Sequence, residues 1–344
     1  MNRTILCYIL CWIVSADTLT IIAVGDIMMG TTYPEIRLPP NYGKDIFIAV
    51  SEILRNSDLT LGNLEGPLTS KGECTKKIEK GRTYAFRTPP YYARYLVDAG
   101  FDFMNLKNNH INDFGEEGVI STINTLGTYG IQYGTDDKNG EFTIRNMKIC
   151  IIPFSQSSYG NSILDIPRAQ KIVAEKSKEY NIIIISFHGG GEGINHLHTR
   201  DTMEYFLNEP RGNVVQFAHA VIDSGADFVW GHGPHVPRAM EIYKDRLIAY
   251  SLGNFFTYGF NIEGLRGYAP ILRVCLDSTG IFLEGKIISA IQRPGAILEI
   301  DSSNQVAKLI KYLSMKDFPE NTLFITEDGK IFQGNFSNEL PLDK

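Results

Sequence analysis

The sequence predicts an α/β protein in which strands and helices alternate. Residues 18–25 and 182–187 are apolar, largely β-branched runs, as in strands that are buried on both faces. Residues 116–129 carry apolar side chains at helical spacing, which indicates one buried helix face. The 344 residues are 43% hydrophobic and 21% charged, the ordinary balance of a globular chain with a full core.

Three strand–helix pairs account for the first third of the chain. The predicted strands are residues 18–25, 58–61 and 101–106, and the predicted helices are residues 45–54, 90–99 and 116–129. Pro90 suits the start of the second helix and Gly100 its end. Residues 70–88 are polar and rich in Lys and Arg, so they are predicted as a basic surface loop. This alternation favours a parallel sheet.

The remainder of the chain continues the alternation and then changes to hairpins. The predicted strands are residues 141–145, 147–154, 182–187, 228–230, 240–243, 246–252, 271–276 and 281–291, with helices over 168–180 and 214–224. Residues 194–212 hold few core side chains and are predicted as a loop. We expect one main domain over residues 17–300, followed by a C-terminal extension, residues 301–344, that forms a short helix and a weak hairpin.

The N-terminal residues predict export. A short positive start precedes an apolar run over residues 5–14, and small residues follow up to Ala16. This is the pattern of a signal peptide, residues 1–16, that is cleaved after Ala16. A buried first strand or helix would show the same apolar run, and Cys11 could instead be a lipidation site. We expect a periplasmic or cell-surface protein with no transmembrane helix in the mature chain.

Charge and cysteine content argue against several classes of protein. The mildly acidic net charge of -6 gives no overall electrostatic attraction for nucleic acid, so no nucleic-acid partner is expected. Without the signal peptide three widely spaced cysteines remain, Cys74, Cys150 and Cys275, which is not the pattern of a disulfide framework. No CxxC pair is present, which argues against a thiolate zinc site.

Polar side chains follow the predicted strands at the point where each strand ends. They are Asp26, Asn63, Glu65, Asn109, His110, His188, Glu192, His232, His235 and Asn254. Because the carboxyl ends of parallel strands meet at one edge of a sheet, we expect these side chains to lie together. Carboxylate, amide and imidazole groups suit hard divalent metals, and two such ions can polarise a substrate and activate water.

Several of these residues also have an interpretation without a metal. Asp26 could cap the turn after its strand, and His188 could be held by the backbone of the glycine loop that follows it. Asn109 and Asp113 could cap the next helix. Because five successive strand ends would each need a separate explanation, the two-metal interpretation is favoured.

Six segments carry a resemblance to a known family. They are residues 25–30 (GDIMMG), 62–65 (GNLE), 108–115 (NNHINDFG), 188–192 (HGGGE), 231–236 (GHGPHV) and 241–255 (EIYKDRLIAYSLGNF). In this order they closely resemble the CapA family of poly-γ-glutamate capsule proteins, the PGA-cap domain, which is similar to the calcineurin-like metallophosphoesterases. The resemblance covers residues 19–290. It implies a four-layer αββα sandwich of the metallophosphoesterase type, with two mixed sheets flanked by helices, located outside the cytoplasmic membrane.

The resemblance also implies roles for single residues. The implied metal ligands are Asp26, Glu65, Asn109, His188, His232 and His235. Glu65 would bridge two ions, His110 would face the leaving group, and Asp113 is the second candidate catalytic residue. The phosphoesterases carry a His where this chain has Met28 and an Asp where it has Glu65, so one metal loses a ligand. The expected cofactors are divalent Zn, Mn or Fe ions.

Two functions follow from these expectations. The first is a metal-dependent hydrolase that acts on a phosphoester, or on an amide of an anionic surface polymer, in capsule or poly-γ-glutamate synthesis or export. The second is a non-catalytic component of an export apparatus that binds or tethers the polymer. The retained ligands favour the hydrolase, and Met28 favours the binding protein. Capsule synthesis and export proteins are possible partners in both cases.

Overall fold

The computed structural model describes residues 18–79, 83–295 and 297–334, so the predicted signal peptide with Cys11 and Ala16 lies outside the described residues. The strands are β1 (Thr18–Met28), β2 (Leu59–Leu64), β3 (Phe103–Asn105), β4 (Gln132–Gly134), β5 (Gly140–Ile144), β6 (Met147–Ser155), β7 (Ile182–His188), β8 (Glu204–Phe206), β9 (Glu209–Gly212), β10 (Phe228–His232), β11 (Met240–Tyr243), β12 (Arg246–Ala249), β13 (Asn254–Thr257), β14 (Ile271–Asp277), β15 (Phe282–Ile288), β16 (Ala290–Gln292), β17 (Leu298–Ile300), β18 (Leu323–Ile325) and β19 (Lys330–Gln333). The α-helices are α1 (Ser51–Leu54), α2 (Ala93–Ala99), α3 (Gly115–Thr128), α4 (Ile166–Lys176), α5 (Val214–Asp223) and α6 (Gln305–Asp317). Short 3₁₀ turns cover Pro40–Gly43, Pro90–Tyr92, Ile194–His196 and Gly264–Gly267. No helix in this part of the chain is both long and apolar enough to cross a membrane.

Two mixed sheets form the centre of the fold. Within the described residues, the larger sheet has the strand order β18-β19-β15-β14-β1-β2-β3-β4, and β13 also pairs with β1. The second sheet has the order β11-β12-β10-β7-β6-β5. Strands β1 to β4 run parallel, as do β6, β7, β10 and β12. The antiparallel strands β14 and β15 agree with the alternation predicted for residues 271–291.

The buried apolar side chains divide into three layers. Leu19 and Ile21 on one face of β1 belong to the cluster between the sheets, together with Ile184 and Trp230 of the second sheet. Ile22, on the opposite face of β1, belongs to a second cluster with residues of α1, α2 and α3. A third cluster joins the second sheet to α4 and α5. This order of helix, sheet, sheet and helix confirms the predicted four-layer αββα sandwich.

Residues 45–54 differ from the predicted helix. Only α1 is α-helical, and the preceding residues form turns such as Ile48 N to Asp45 O at 3.2 Å. Ile46 and Val50 are nevertheless buried. The apolar spacing therefore predicted which side chains face the core, but the chain satisfies its hydrogen bonds with tighter, three-residue turns.

The C-terminal elements pack on the two sheets. Strand β19 extends the larger sheet beside β15, and Ser314 Oγ of α6 accepts a hydrogen bond from Met240 N at 2.9 Å. Residues 194–212, predicted as a loop, contain the β8–β9 hairpin. In the same segment His198 pairs with Asp317 of α6 at 2.6 Å, which ties this region to the last helix.

Candidate metal centre

The strand register brings polar side chains of both sheets to one edge. Asp26 on β1 pairs with Asn63 on β2, and Asn63 pairs with Asn105 on β3. In the second sheet, His188 at the end of β7 pairs with His232 at the end of β10. Because these strands are parallel within each sheet, their carboxyl ends present these side chains to the same space.

Asp26, His188 and His232 form a first group that could hold a metal ion, with one ligand atom of each within 4.8 Å of the others. His188 Nδ1 lies 3.0 Å from His232 Nδ1, and the distances of these atoms to Asp26 Oδ1 are 3.8 and 3.7 Å. Ser186 Oγ lies 2.9 Å from His232 Nε2. If Ser186 Oγ accepts the proton of His232 Nε2, then Nδ1 of the same ring carries no proton and is free to bind a metal ion.

Asp26, Glu65 and His235 form a second group, again with ligand atoms within 4.8 Å of one another. His235 Nδ1 lies 2.9 Å from Asp26 Oδ2, and His235 Nε2 lies 3.7 Å from Glu65 Oε1. His235 has a φ of 59°, a left-handed conformation that is strained for a residue other than glycine. Asn254 Oδ1 lies 3.1 Å from His235 Nδ1 and Asn254 Nδ2 donates to the His235 carbonyl, so Asn254 holds the strained residue at the centre.

Two buried atoms at this centre have no hydrogen-bond partner within the described residues, Glu65 Oε1 and His188 Nε2, and they lie 3.8 Å apart. Burial, and next the charge of Asp26, raise the pKa of Glu65 to about 8. Burial lowers the pKa of His188 well below its ordinary value, which keeps the imidazole neutral. A divalent cation would satisfy both atoms and favour the ionised carboxylate. The donor set therefore fits a metal centre.

Asp26 is the carboxylate common to the two groups. The resemblance implied a bridging role for Glu65, which belongs to the second group, and whose Oε1 also lies 3.8 Å from His188 Nε2 of the first group. Burial by itself would raise the pKa of Asp26. His235 and the other two imidazoles lower it by a larger amount, so the pKa of Asp26 lies below its ordinary value. Both carboxylate oxygens of Asp26 face imidazoles, which suits a ligand shared by two ions.

Asparagines orient the shared carboxylate. Asn63 donates to Asp26 Oδ1 at 2.8 Å and accepts from Asn105 Nδ2 at 2.8 Å and Asn108 Nδ2 at 3.1 Å. Asn109 lies on the turn after β3, and its Oδ1 is buried without a hydrogen-bond partner in the described part of the chain, as a ligand atom can be. Sequence reasoning missed Asn105 and Asn108 in this role, although an amide directly after an apolar strand was the available indication.

His110 and Asp113 lie together beside the metal groups. His110 Nδ1 is 2.9 Å from Asp113 Oδ2, and the Phe86 ring stacks on the imidazole with centroids 4.1 Å apart. Lys76 Nζ lies 2.6 Å from Asp113 Oδ1 and donates to Asn109 O at 3.0 Å. Burial lowers the pKa of His110 to about 4 against the opposing effect of Asp113. Lys76, predicted as part of a surface loop, thus supplies the counter-charge to a fully buried carboxylate.

Buried arginines support the glycine loop, residues 189–193, next to the centre. Arg211 pairs with Glu192 of the loop. Arg238 donates to both carboxylate oxygens of Glu204 at 2.8 Å and to a loop carbonyl at 2.9 Å. Sequence reasoning missed these pairs because Glu204 and Arg211 belong to the β8–β9 hairpin, whose position over the loop depends on long-range packing.

The fold and this centre define a protein of two facing mixed sheets with a candidate metal site at its strand ends. Residues 20–258 match the family described as "Bacterial capsule synthesis protein PGA_cap". The chain belongs to this family.

Two curated relatives carry related descriptions. The chain is 29% identical over 262 residues to "Capsule biosynthesis protein CapA" of Bacillus anthracis, with 70% of this chain and 60% of the relative covered. It is 30% identical over 259 residues to "PGA biosynthesis protein CapA" of Bacillus subtilis (strain 168), with 70% and 64% covered. The match therefore spans less than two thirds of either relative. A solved 5'-nucleotidase precursor from Thermus thermophilus has a TM-score of 0.45 and 14% identity, covering 81% of this chain and 56% of that chain.

Proposed function

We propose that this chain is an exported, metal-dependent hydrolase that takes part in the synthesis or export of capsule, poly-γ-glutamate or a related surface polymer. The observation that carries the proposal is the pair of ligand groups that share Asp26. The capsule and PGA biosynthesis descriptions of the relatives support the biological setting. The ions would be Zn, Mn or Fe, and the substrate would be an anionic polymer or a phosphoester.

The ligands would be Asp26, Glu65, Asn109, His188, His232 and His235. Divalent cations held there would supply Lewis-acid polarisation of the group that is cleaved. His110 lines the adjoining cleft. While its Nδ1 donates to Asp113, Nε2 of the neutral ring can take up a proton and then release it at the leaving group. The stacked ring of Phe86 restrains the imidazole in this orientation.

A hydrolysis assay with metal analysis tests this proposal. Wild-type protein loaded with each metal is assayed on bis(p-nitrophenyl) phosphate and on γ-linked polyglutamate, and compared with His110→Asn. We expect the variant to keep its metal and to lose about 10²- to 10⁴-fold in rate, the usual contribution of a general acid–base group. His219→Gln is the matched control, because His219 contacts Glu241 and Tyr243 at a distance from the metal groups.

The second candidate function is a non-catalytic polymer-binding or tethering component. Met28 favours it, because its thioether accepts a hydrogen bond from Gly30 N at 3.3 Å at the position where the phosphoesterases carry a histidine. Wild-type protein that binds metal and polyglutamate but hydrolyses neither substrate would replace the hydrolase proposal with this one.

A further inference from the structure

A cleft of about 350 Å³ adjoins the candidate metal centre. Glu65, His110 and His235 line it, and so does Arg266, which lies on the turn Gly264–Gly267. The volume falls within the range of sites that hold small ligands or short polymer segments. A substrate placed at the metal groups would therefore share this cleft with Arg266.

Aromatic rings form much of the cleft lining. Phe86, which stacks on His110, meets Phe260 edge-on at 4.7 Å, and Phe260 meets Tyr84 at 5.2 Å. Phe206 of the β8–β9 hairpin lines the same cleft. These rings offer apolar faces to methylene groups and no charge to an anionic group. Apart from metal ions held at the centre, the affinity of the cleft for anions must come from its cationic side chains.

Arg266 differs from the other cations around the centre. Lys76, Arg211 and Arg238 are each paired with a buried or half-buried carboxylate. The guanidinium of Arg266, in contrast, has neither an ion pair nor a hydrogen bond with any residue that the structure describes.

The position of this guanidinium is nevertheless well defined. A Cβ built on Gly193 would lie 3.2 Å from Arg266 Nη2, so the side chain lies against the glycine loop. The carbonyl of Arg266 accepts from Asn254 Nδ2 at 3.0 Å, and Asn254 also contacts His235 of the second metal group. One asparagine thus fixes both the arginine turn and a metal-ligand candidate.

We propose that Arg266 is the specificity-determining residue of the cleft and binds a carboxylate of the substrate. This inference rests on the proposed function and identifies the carboxylate as the feature of the polymer that the site selects. A guanidinium forms two parallel hydrogen bonds to a carboxylate, and the half-buried setting strengthens them. A γ-linked glutamate chain alternates carboxylates with methylene pairs. It places one anion on Arg266 while its methylenes contact the aromatic rings.

Calorimetric titration of the metal-loaded protein tests this assignment. The probes are a short γ-linked glutamate oligomer, the same oligomer with its carboxylates converted to amides, and inorganic phosphate. We expect Arg266→Met to weaken binding of the acid oligomer about 10- to 100-fold, the value of a charge-assisted hydrogen-bond pair. Arg266→Lys should recover part of this loss. Metal content should not change, and wild-type protein should bind the amidated oligomer as weakly as the variant binds the acid.

Arg168→Met is the matched control, since Arg168 is exposed on α4 and is not part of the cleft lining. The assignment would be overturned if Arg266→Met bound the acid oligomer as tightly as wild type does. It would also be overturned if the variant lost as much affinity for the amidated oligomer as for the acid oligomer. A loss confined to inorganic phosphate would overturn the choice of carboxylate. Arg266-dependent oligomer binding without hydrolysis would support the inference while rejecting the hydrolase. Hydrolysis by a wild-type protein that does not bind the oligomer would reject the inference alone.

Discussion

The side-chain amide of Asn63 donates a hydrogen bond of 2.8 Å to Asp26 Oδ1, and the two residues are register partners on neighbouring parallel strands. Asn63 Nδ2 also lies 3.4 Å from His188 Nδ1, and Asn63 Oδ1 accepts hydrogen bonds from Asn105 and Asn108. The shared carboxylate is therefore oriented by a chain of amides that begins two strands away. Hydrogen-bond partners of this kind control how well a ligand carboxylate binds its metal.

Asn63→Ala should weaken metal binding without unfolding the protein. Removing the amide leaves Asp26 Oδ1 without its donor, so we expect metal affinity to fall by about 10- to 100-fold. Competition with a chromogenic chelator measures this change. Asn124→Ala, an exposed change on α3, serves as the control, and equal affinities of the two variants would contradict the orienting role.

Asp26→Asn and Glu65→Gln should differ in the metal that they retain. Because Asp26 belongs to both ligand groups, its neutralisation should remove both ions, whereas Glu65→Gln should leave about one equivalent in the first group. Elemental analysis of protein purified without chelator gives the count, and circular dichroism checks the fold. Full metal content in Glu65→Gln would remove Glu65 from the ligand set. One equivalent retained in Asp26→Asn would show that Asp26 is not shared.

Lys76→Met should destabilise the fold by about 1–3 kcal/mol, because the buried Asp113 carboxylate loses its ion pair. Adding Asp113→Asn to this variant removes the uncompensated charge and should recover most of the loss. Urea unfolding of the single and double variants measures both effects, with the exposed Lys77→Met as the control. A double variant no more stable than Lys76→Met would mean that Lys76 does not compensate this charge.

The sequence predicted the strand ends well and their surroundings poorly. Asp26, His188 and His232 could be located because each follows an apolar run, and parallel strands bring such ends together. Lys76 could not be located in this way, because nothing in the neighbouring sequence distinguishes it from the solvated lysines of the same loop. The sharing of Asp26 also depends on the distance between two sheets, which no spacing along the chain encodes. The turns over residues 45–50 show the same limit, since burial was predicted and hydrogen bonding was not.

Export remains a prediction from residues 1–16. Mass spectrometry of the secreted protein should find Asp17 as the first residue, because cleavage is expected after Ala16. A lipid on Cys11 would indicate an anchored protein instead. A cytoplasmic protein that begins at Met1 would contradict the predicted signal peptide.

The ligands of the first group come from different sheets, Asp26 from the larger one and His188 and His232 from the second. An ion bound there is a cross-link between two layers that otherwise touch through apolar side chains. Folding and metal supply then become linked equilibria, with about 2.7 kcal/mol of added stability when the free ion is at 100 times its dissociation constant. In surroundings that sequester metal, the two sheets would stay together through their apolar contacts while the strand ends separate first, so the protein would lose its chemistry before it loses its shape.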